Sequence, residues 1–466
     1  MPRNFLDALA AAVGAANVLT AERDTAAYFT DWRRQYRAVA ECVVRPASTD
    51  EVAAVIKLCA GEGVAVVPQG GNTGLAGGSV PTGARRELVL SLGRMNRIRA
   101  LDALDDTLTA EAGCVLAQIQ HAAESAGRYF PVSLAAEGSC QLGGILSTNA
   151  GGVNVLRYGN AREQVLGLEV VLADGSIWQG LRTLRKDNTG YDLKQLFLGA
   201  EGTLGVITAA VLRLRPRPSA SATAWIAVDG PLGAVRLLAR LRASLGERIS
   251  AFELVSHRCL EAVLVHTPAL ANPLGAPYPW YVLAELEDSG TFESLQARLE
   301  AALAEGVQDG GLRDAAIAAS QSQAAALWRI RETIPEAQFA NVKHDVAVAV
   351  SRIPALIEQA EAALATHFPG VRSFIFGHIG DGNLHYNVGM ADAAATAALI
   401  ERREEVNRVV YDAVAALGGS ISAEHGIGQL KRAELARHKA PLELELMRSI
   451  KRTLDPRGLM NPGKVV

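Results

Sequence analysis

Apolar residues first settle into a regular pattern after Pro46. Ser48 or Thr49 stands where a helix cap belongs, Val52, Val55, Ile56 and Cys59 follow at helical spacing, and Gly61 and Gly63 close the run. Val64–Val67 then reads as a short buried strand that runs into a loop, Pro68–Pro81. Within Val165–Gly180, VLGLEVV and SIW flank LADG, a strand–turn–strand. Thr203–Arg215 reads as another strand, with Leu212 and Leu214 alternating with Arg213 and Arg215. Pro216, Pro218 and a Ser/Ala run mark a boundary. Beyond it, strands at Trp225–Val228, Trp280–Leu286 and Val346–Val350 interleave with helices at Ala234–Ala243, Phe292–Glu305 and Pro354–His367. This order predicts an α+β protein whose second part is an antiparallel sheet with helices on one face. The expected divisions are 1–217, 218–419, and a tail 420–466 that ends in a helix. No internal repeat is evident.

Composition narrows the function classes. A chain of 466 residues exceeds one hydrophobic core. Net charge is −3 and pI about 6.3, so there is no basic field for nucleic acid or an anionic membrane. The opening MPRNFLDALAAAVG reads as an amphipathic helix rather than a secretory leader. No apolar run approaches the ~18 residues that a membrane span needs. Cys42, Cys59, Cys114, Cys140 and Cys259 are odd in number and widely spaced. That argues against a disulfide framework or a thiolate zinc site and favours a reducing interior. A cytoplasmic protein is expected, with peripheral contact to a membrane electron carrier left open.

The chemistry begins in glycine. PQGGNTGLAGGSVP carries Gly70, Gly71, Gly74, Gly77 and Gly78, which permit positive φ and let backbone N–H groups converge on an anion. Its spacing fits neither G-x-G-x-x-G nor the P-loop, so taken alone it is equally a surface loop. Three further stretches change that balance: GSCQLGGILSTNAGG (Gly138–Gly152), KDNTG (Lys186–Gly190) and GAEGTLG (Gly199–Gly205). Together they suit a long cofactor threaded along backbone donors, such as a diphosphate joined to a large planar ring.

These stretches, with RYGNAREQVLGLEVVLADG and KDNTGYDLKQLFLGAEGTLGVIT, resemble the flavin-binding region of the vanillyl-alcohol oxidase / p-cresol methylhydroxylase superfamily, in its FAD-linked D-2-hydroxyacid dehydrogenase branch. The resemblance runs from about Tyr36 to Lys464. It implies a two-part FAD-binding domain of the p-cresol methylhydroxylase type, an antiparallel-sheet cap domain for substrate, and a C-terminal segment returning to the FAD domain. It places Gly70, Gly71, Asn72, Thr73, Gly74 and Leu75 at the FAD diphosphate. Ser139, Gly143, Ser147, Thr148, Gly151 and Gly152 follow along the cofactor, with Glu201, Gly202 and Ile207 nearby. Some superfamily members tether FAD through His or Cys. The first glycine loop here has neither, so non-covalent FAD is expected, and Cys140 is expected to be a small buried residue.

A second centre is legible in FIFGHIGDGNLHYNV (Phe374–Val388). Asp381-Gly382 between alternating runs is a hairpin signal. With those two residues as the loop, His378 falls directly opposite His385, on one face. A lone histidine is usually a satisfied core residue. A register-matched pair beside an Asp and two Asn favours a shared cation. SAEHGIG (Ser422–Gly428) read alone is a capping Glu beside a surface His. The family resemblance instead makes His378, His385 and Glu424 the ligands of a divalent metal, zinc by ligand type, with manganese or iron as alternatives.

The same resemblance assigns the substrate. The C2 hydroxyl of a D-2-hydroxy acid loses a proton while C2 loses a hydride to flavin N5. A metal lowers the hydroxyl pKa, and His425 accepts or relays the proton. Asn387 would bind the C1 carboxylate, and Arg331 and Lys343 the distal carboxylate of a diacid. The ordinary alternative for Arg331 is a solvated helix residue paired with Glu332 or Glu336. D-2-hydroxyglutarate is the leading substrate. Pro335, the shortened Arg331–Lys343 segment and the run Asp345-Val-Ala-Val-Ala-Val depart from that branch and keep D-lactate and D-malate open. A flavin-dependent ether-lipid synthase is a further alternative, without the need for this His/His/Glu set. With no nicotinamide fingerprint, the expected electron acceptor is an electron-transfer flavoprotein, quinone or cytochrome. A homodimer is compatible with all of this.

Overall fold

The computed structural model describes residues 3–308, 311–338 and 340–466. The chain divides into two compact units. The first holds Met1–Gly152, Gly159–Arg217 and Glu424–Val466. The second holds Val153–Tyr158 and Pro218–Ala423. The short excursion Val153–Tyr158 has no signature in the sequence pattern. It belongs to the second unit because Leu156 packs into that unit's core and Tyr158 donates to the Glu287 carboxylate.

Among the described residues the first unit holds two larger sheets and a two-stranded antiparallel pair, Arg128–Tyr129 with Arg215–Pro216. One larger sheet runs Val18–Leu19, Val43–Val44, Glu87–Ser91, Ala65–Gln69, and its last three strands are parallel. The helix Thr49–Glu62 covers it as its periodicity requires: Ser48 Oγ caps Glu51 N, Val52, Val55, Ile56 and Cys59 are buried, and Gly63 ends it at φ 67°. The tail returns beside this sheet, where Leu459 O and Asn461 N bond the Val66 backbone on either side of Met460. The other sheet is antiparallel, in the order Ile98–Asp102, Thr107–Glu111, Val206–Arg213, Val165–Val171, Ile177–Gly180.

The second unit is a seven-stranded antiparallel sheet. Its order is Asp314–Ile317, Ala220–Val228, Trp280–Asp288, Ile249–Ser256, Arg372–Gly377, Asn383–Gly389, Val342–Ala347. The expectation of helices on one face is corrected here. Pro231–Leu245, Phe292–Gln308, Ile353–His367 and Arg403–Ala416 bury one face. His257–His266 and Gln321–Ala337 cover the other. Leu254 and Phe252 enter the first core and Val255 the second, so this strand is apolar on both sides and lacks one-sided alternation. Among the described residues, no helix is long and apolar enough to cross a membrane.

Candidate functional site

In the first unit several of the candidate glycines stand where a side chain would not fit. A Cβ on Gly71 would strike the Ser139 carbonyl oxygen, and one on Gly143 would stand 2.9 Å from Ala112 Cβ. Gly152, at φ 99°, lies against the Ser133 carbonyl. The two glycine stretches therefore approach each other backbone to backbone, which only a missing side chain allows. Along the same rim, Gly74 and Gly144 have nothing within 4 Å of a Cβ position. Gly70, Thr73, Leu75, Ser147 and Thr148 are half-buried and Ser139 is exposed. Gln141 Oε1, beside Gly70, is buried and accepts no hydrogen bond among the described residues. A cradle lined by backbone, with an orphaned acceptor at its wall, fits a cofactor rich in hydroxyl and N–H donors.

Several candidates there hold the cradle rather than face into it. Asn72, at φ 54°, donates to Ala27 O and Thr30 O (3.2 and 2.8 Å) and accepts from Ser79 Oγ (2.8 Å). Ile207 is buried in the antiparallel sheet's core, and Gly202, at φ 72°, packs on Pro68. Glu201, at φ 52°, turns its carboxylate to the Ile427 and Gly428 N–H groups at 2.7 and 2.8 Å. Burial raises its pKa, against those two N–H groups and Lys431. Its work is to fix the returning segment, in which Glu424 accepts from Gly152 N at 2.8 Å and sits against Gly151, whose Cβ would meet Glu424 Oε1 at 2.6 Å. His425 follows it, half-buried. Lys186–Gly190 is exposed throughout, an Asp187-capped turn rather than a buried wall. Cys140 is buried, and burial pushes its thiol up to about 11, which disfavours the thiolate that a flavin tether would need.

In the second unit the hairpin register differs from its expected one. Phe376, not His378, pairs with His385, and the strand Arg372–Gly377 ends before His378. The loop is wider than Asp381-Gly382, with Asn383 N donating to His378 O at 3.2 Å. Gly377 and Gly382 take φ 136° and 93°, and Ile379 is drawn into the core, which pulls the strand ends apart. The slip is two residues, one full strand period, so His378 stays on the same face as His385. Their ring centroids are 5.7 Å apart at 73°. The two imidazoles are thus diagonal across the strands rather than directly opposed.

That face gathers the remaining candidates. Lys343 pairs with Asn387 and Asp345 with His385 across adjacent strands, with Phe374 and Phe376 on the third. Asn387 is buried and donates to Gln338 Oε1 at 3.3 Å, while Lys343 Nζ reaches Pro335 O at 3.3 Å. Arg331 comes down from the covering helix Gln321–Ala337. It is 6 % exposed, with its guanidinium 4.8 Å above the Phe376 ring. It does not pair with Glu332 or Glu336: its Nε donates to Glu253 Oε2 at 2.8 Å. The other oxygen of Glu253 takes His378 Nδ1 at 2.6 Å. Burial alone would raise the Glu253 pKa, but His378 and Arg331 outweigh it and hold the carboxyl at about 2. Glu253 and Asp345 were not picked out from sequence. The available signal was a carboxylate in the wholly buried strand ISAFELVS.

Comparison with known proteins bears on both units. The family described as FAD binding domain matches residues 40–180, and the family described as FAD linked oxidases, C-terminal domain, matches 217–465. A D-2-hydroxyglutarate dehydrogenase of Xanthomonas citri pv. viticola is 41 % identical over 97 % of this chain and 95 % of its own length. Mitochondrial D-2-hydroxyglutarate dehydrogenases of Bos taurus and Arabidopsis thaliana are each 40 % identical over 94 % of this chain, and over 78 % and 77 % of their own. Among solved structures, p-cresol methylhydroxylase aligns with TM-score 0.77 at 17 % identity over 99 % of this chain and 96 % of its own. An alkyldihydroxyacetonephosphate synthase aligns with TM-score 0.72 at 18 % identity, over 99 % and 85 %. The last two show the fold alone.

Proposed function

The chain belongs to the FAD-linked oxidases, and from that membership we propose that it is an FAD- and metal-dependent dehydrogenase that oxidises D-2-hydroxyglutarate to 2-oxoglutarate. The carrying observation is the single sheet face that presents His378, His385, Asn387 and Lys343, with Arg331 brought onto it by the covering helix. Near full-length likeness to D-2-hydroxyglutarate dehydrogenases supports the five-carbon diacid over D-lactate and the four-carbon diacid D-malate. It supports dehydrogenation over ether-lipid synthesis as well, since the synthase shares only the fold.

FAD, when bound, supplies the hydride acceptor, and Gly70–Leu75 with Ser139, Gly143, Ser147, Thr148, Gly151 and Gly152 would hold it without a covalent tether. A divalent cation supplies Lewis acidity, and His378, His385 and Glu424 would hold it. Imidazole nitrogen with carboxylate oxygen suits zinc. Glu253 engages His378 Nδ1, which leaves Nε2 as that ring's metal-facing nitrogen. Asn387 would fix the C1 carboxylate, Arg331 and Lys343 the distal one, and His425 would take the hydroxyl proton. A positioned base and two carboxylate contacts orient C2 before any bond breaks. Electrons would pass on to an electron-transfer flavoprotein, quinone or cytochrome. Five buried free cysteines suit a reducing compartment, and we place the protein in the cytoplasm.

Anaerobic bleaching tests the reading. Purified yellow protein, metal-replete, should lose its flavin absorbance on addition of D-2-hydroxyglutarate, faster than with D-lactate or D-malate. No bleaching by any D-2-hydroxy acid would refute the activity.

A further inference from the structure

Glu253 lies on the strand Ile249–Ser256, fully buried, and it belongs to none of the ligand or substrate roles above. Its two oxygens serve different partners: Oε1 takes His378 Nδ1 at 2.6 Å and Oε2 takes Arg331 Nε at 2.8 Å. His378 stands at the mouth of the hairpin loop, and Arg331 hangs from a helix on the covering layer. The helix and the hairpin strand pack on one core, and Glu253 adds a direct side-chain link between the two groups. The strand pairing puts Val255 opposite Phe376, so Glu253 shares the face of Phe376 and His385. The Arg331 guanidinium also rests on Phe376.

We propose that Glu253 is a positioning residue that sets both ends of the substrate site at once: it holds His378 in the Nδ1–H tautomer, with Nε2 toward the metal, and it clamps Arg331 by Nε, with the Nη edge turned to the distal carboxylate. This rests on the metal and diacid reading above. Both partners are donors at the atoms that face Glu253, so the position requires two acceptor oxygens. A carboxylate has two, and a carboxamide has one oxygen and an NH2. Glu253→Gln is nearly isosteric, yet it must leave His378 or Arg331 facing another donor. A negative charge also raises the basicity of the ligating imidazole, and loss of such a partner weakens metal binding by roughly 10–100-fold.

The test uses flavin-loaded full-length protein. Zinc affinity is measured by chelator competition for wild type, Glu253→Gln and His378→Ala. The imidazole tautomer is read from ¹⁵N-histidine spectra of the zinc-stripped protein, with His378→Ala assigning the signal. KM is compared for D-2-hydroxyglutarate and D-lactate. Expected are an Nδ1–H His378 in wild type, zinc held roughly 10–100-fold more weakly in Glu253→Gln, and a KM that rises more for the diacid than for lactate. Wild-type zinc affinity in Glu253→Gln would overturn the proposal, as would equal changes of the two KM values. Should that variant not fold, the wild-type spectrum still decides, because an Nε2–H His378 before zinc is added overturns it. Unchanged zinc binding in His378→Ala would instead show that the ligand assignment is wrong, and the proposal would fall with it.

Discussion

The two units build their sites from opposite materials. The first uses absence: Gly71, Gly143 and Gly152 bring carbonyls and N–H groups so close that no Cβ fits, and the polar side chains Asn72 and Glu201 are spent on holding that backbone. The second uses presence: His378, His385, Lys343, Asn387 and Arg331 project from a stiff sheet face and its covering helix, anchored through buried Glu253. A backbone cradle recognises what its shape admits and tolerates little change in its glycines. A side-chain constellation depends on charge and orientation and can be dismantled one group at a time. The contrast teaches that the cofactor site and the substrate site should fail in different ways.

The largest expected separation is at His378. His378→Ala should keep the yellow colour yet lose zinc, and turnover should drop by about a thousandfold, equivalent to roughly 4 kcal/mol of lost Lewis-acid stabilisation. Metal analysis beside the flavin spectrum checks it, and Glu424→Ala should behave alike. Full activity in both would remove the metal from the reaction. Gly71→Ala should do the reverse, yielding folded but colourless protein because the new methyl meets the Ser139 carbonyl. Normal flavin content there would mean that the backbone approach is not what binds FAD. Arg331→Ala should raise KM for D-2-hydroxyglutarate by roughly a hundredfold, the order of a lost charged hydrogen bond, while D-lactate changes little.

A smaller effect concerns stability in the first unit. Lys464 is buried with no hydrogen-bond partner for its Nζ among the described residues, and burial lowers its pKa to about 8, partly opposed by Glu87. A lysine with a folded pKa below its unfolded one binds fewer protons when folded. Stability must therefore rise with pH between about 8 and the ordinary 10.5, with the penalty complete below that window. Urea melts across pH 7–10.5 should show this slope, and Lys464→Met should remove it and add on the order of 2 kcal/mol at neutral pH. The smallest effect is at Cys140. Cys140→Ala should retain flavin and activity, and acid precipitation of wild type should release all its flavin into the supernatant. Flavin remaining in the pellet would contradict non-covalent binding.

Much of the fold was legible because its signals are local. The helix at Thr49–Glu62, its Ser48 cap and its Gly63 end follow from spacing and turn chemistry alone. The break near Pro216–Pro218 coincides with the passage between units at Arg217–Pro218. The hairpin at Asp381-Gly382 was found but its register slipped by two residues, because the burial of Ile379 widens the loop and the dipeptide carries no trace of it. The slip did little harm to the site, since a strand's side chains repeat every second residue. Helices on both faces of the second sheet went unread, because a strand buried on both sides reads as one apolar run.

The sequence by itself determined which groups are available: glycines too dense for ordinary turns, and two histidines flanking the Asp381-Gly382 turn, while the family resemblance pointed to Arg331 and Lys343 as carboxylate ligands. The glycines and the histidines are written in spacing. Only the tertiary structure decided how they are held. Glu253 lies far from both Arg331 and His378 along the chain, and only the pairing of its strand with Arg372–Gly377 and the docking of Gln321–Ala337 bring the three together. Long-range strand order is set by which apolar faces must be covered together, and a spacing rule along one chain cannot carry that information.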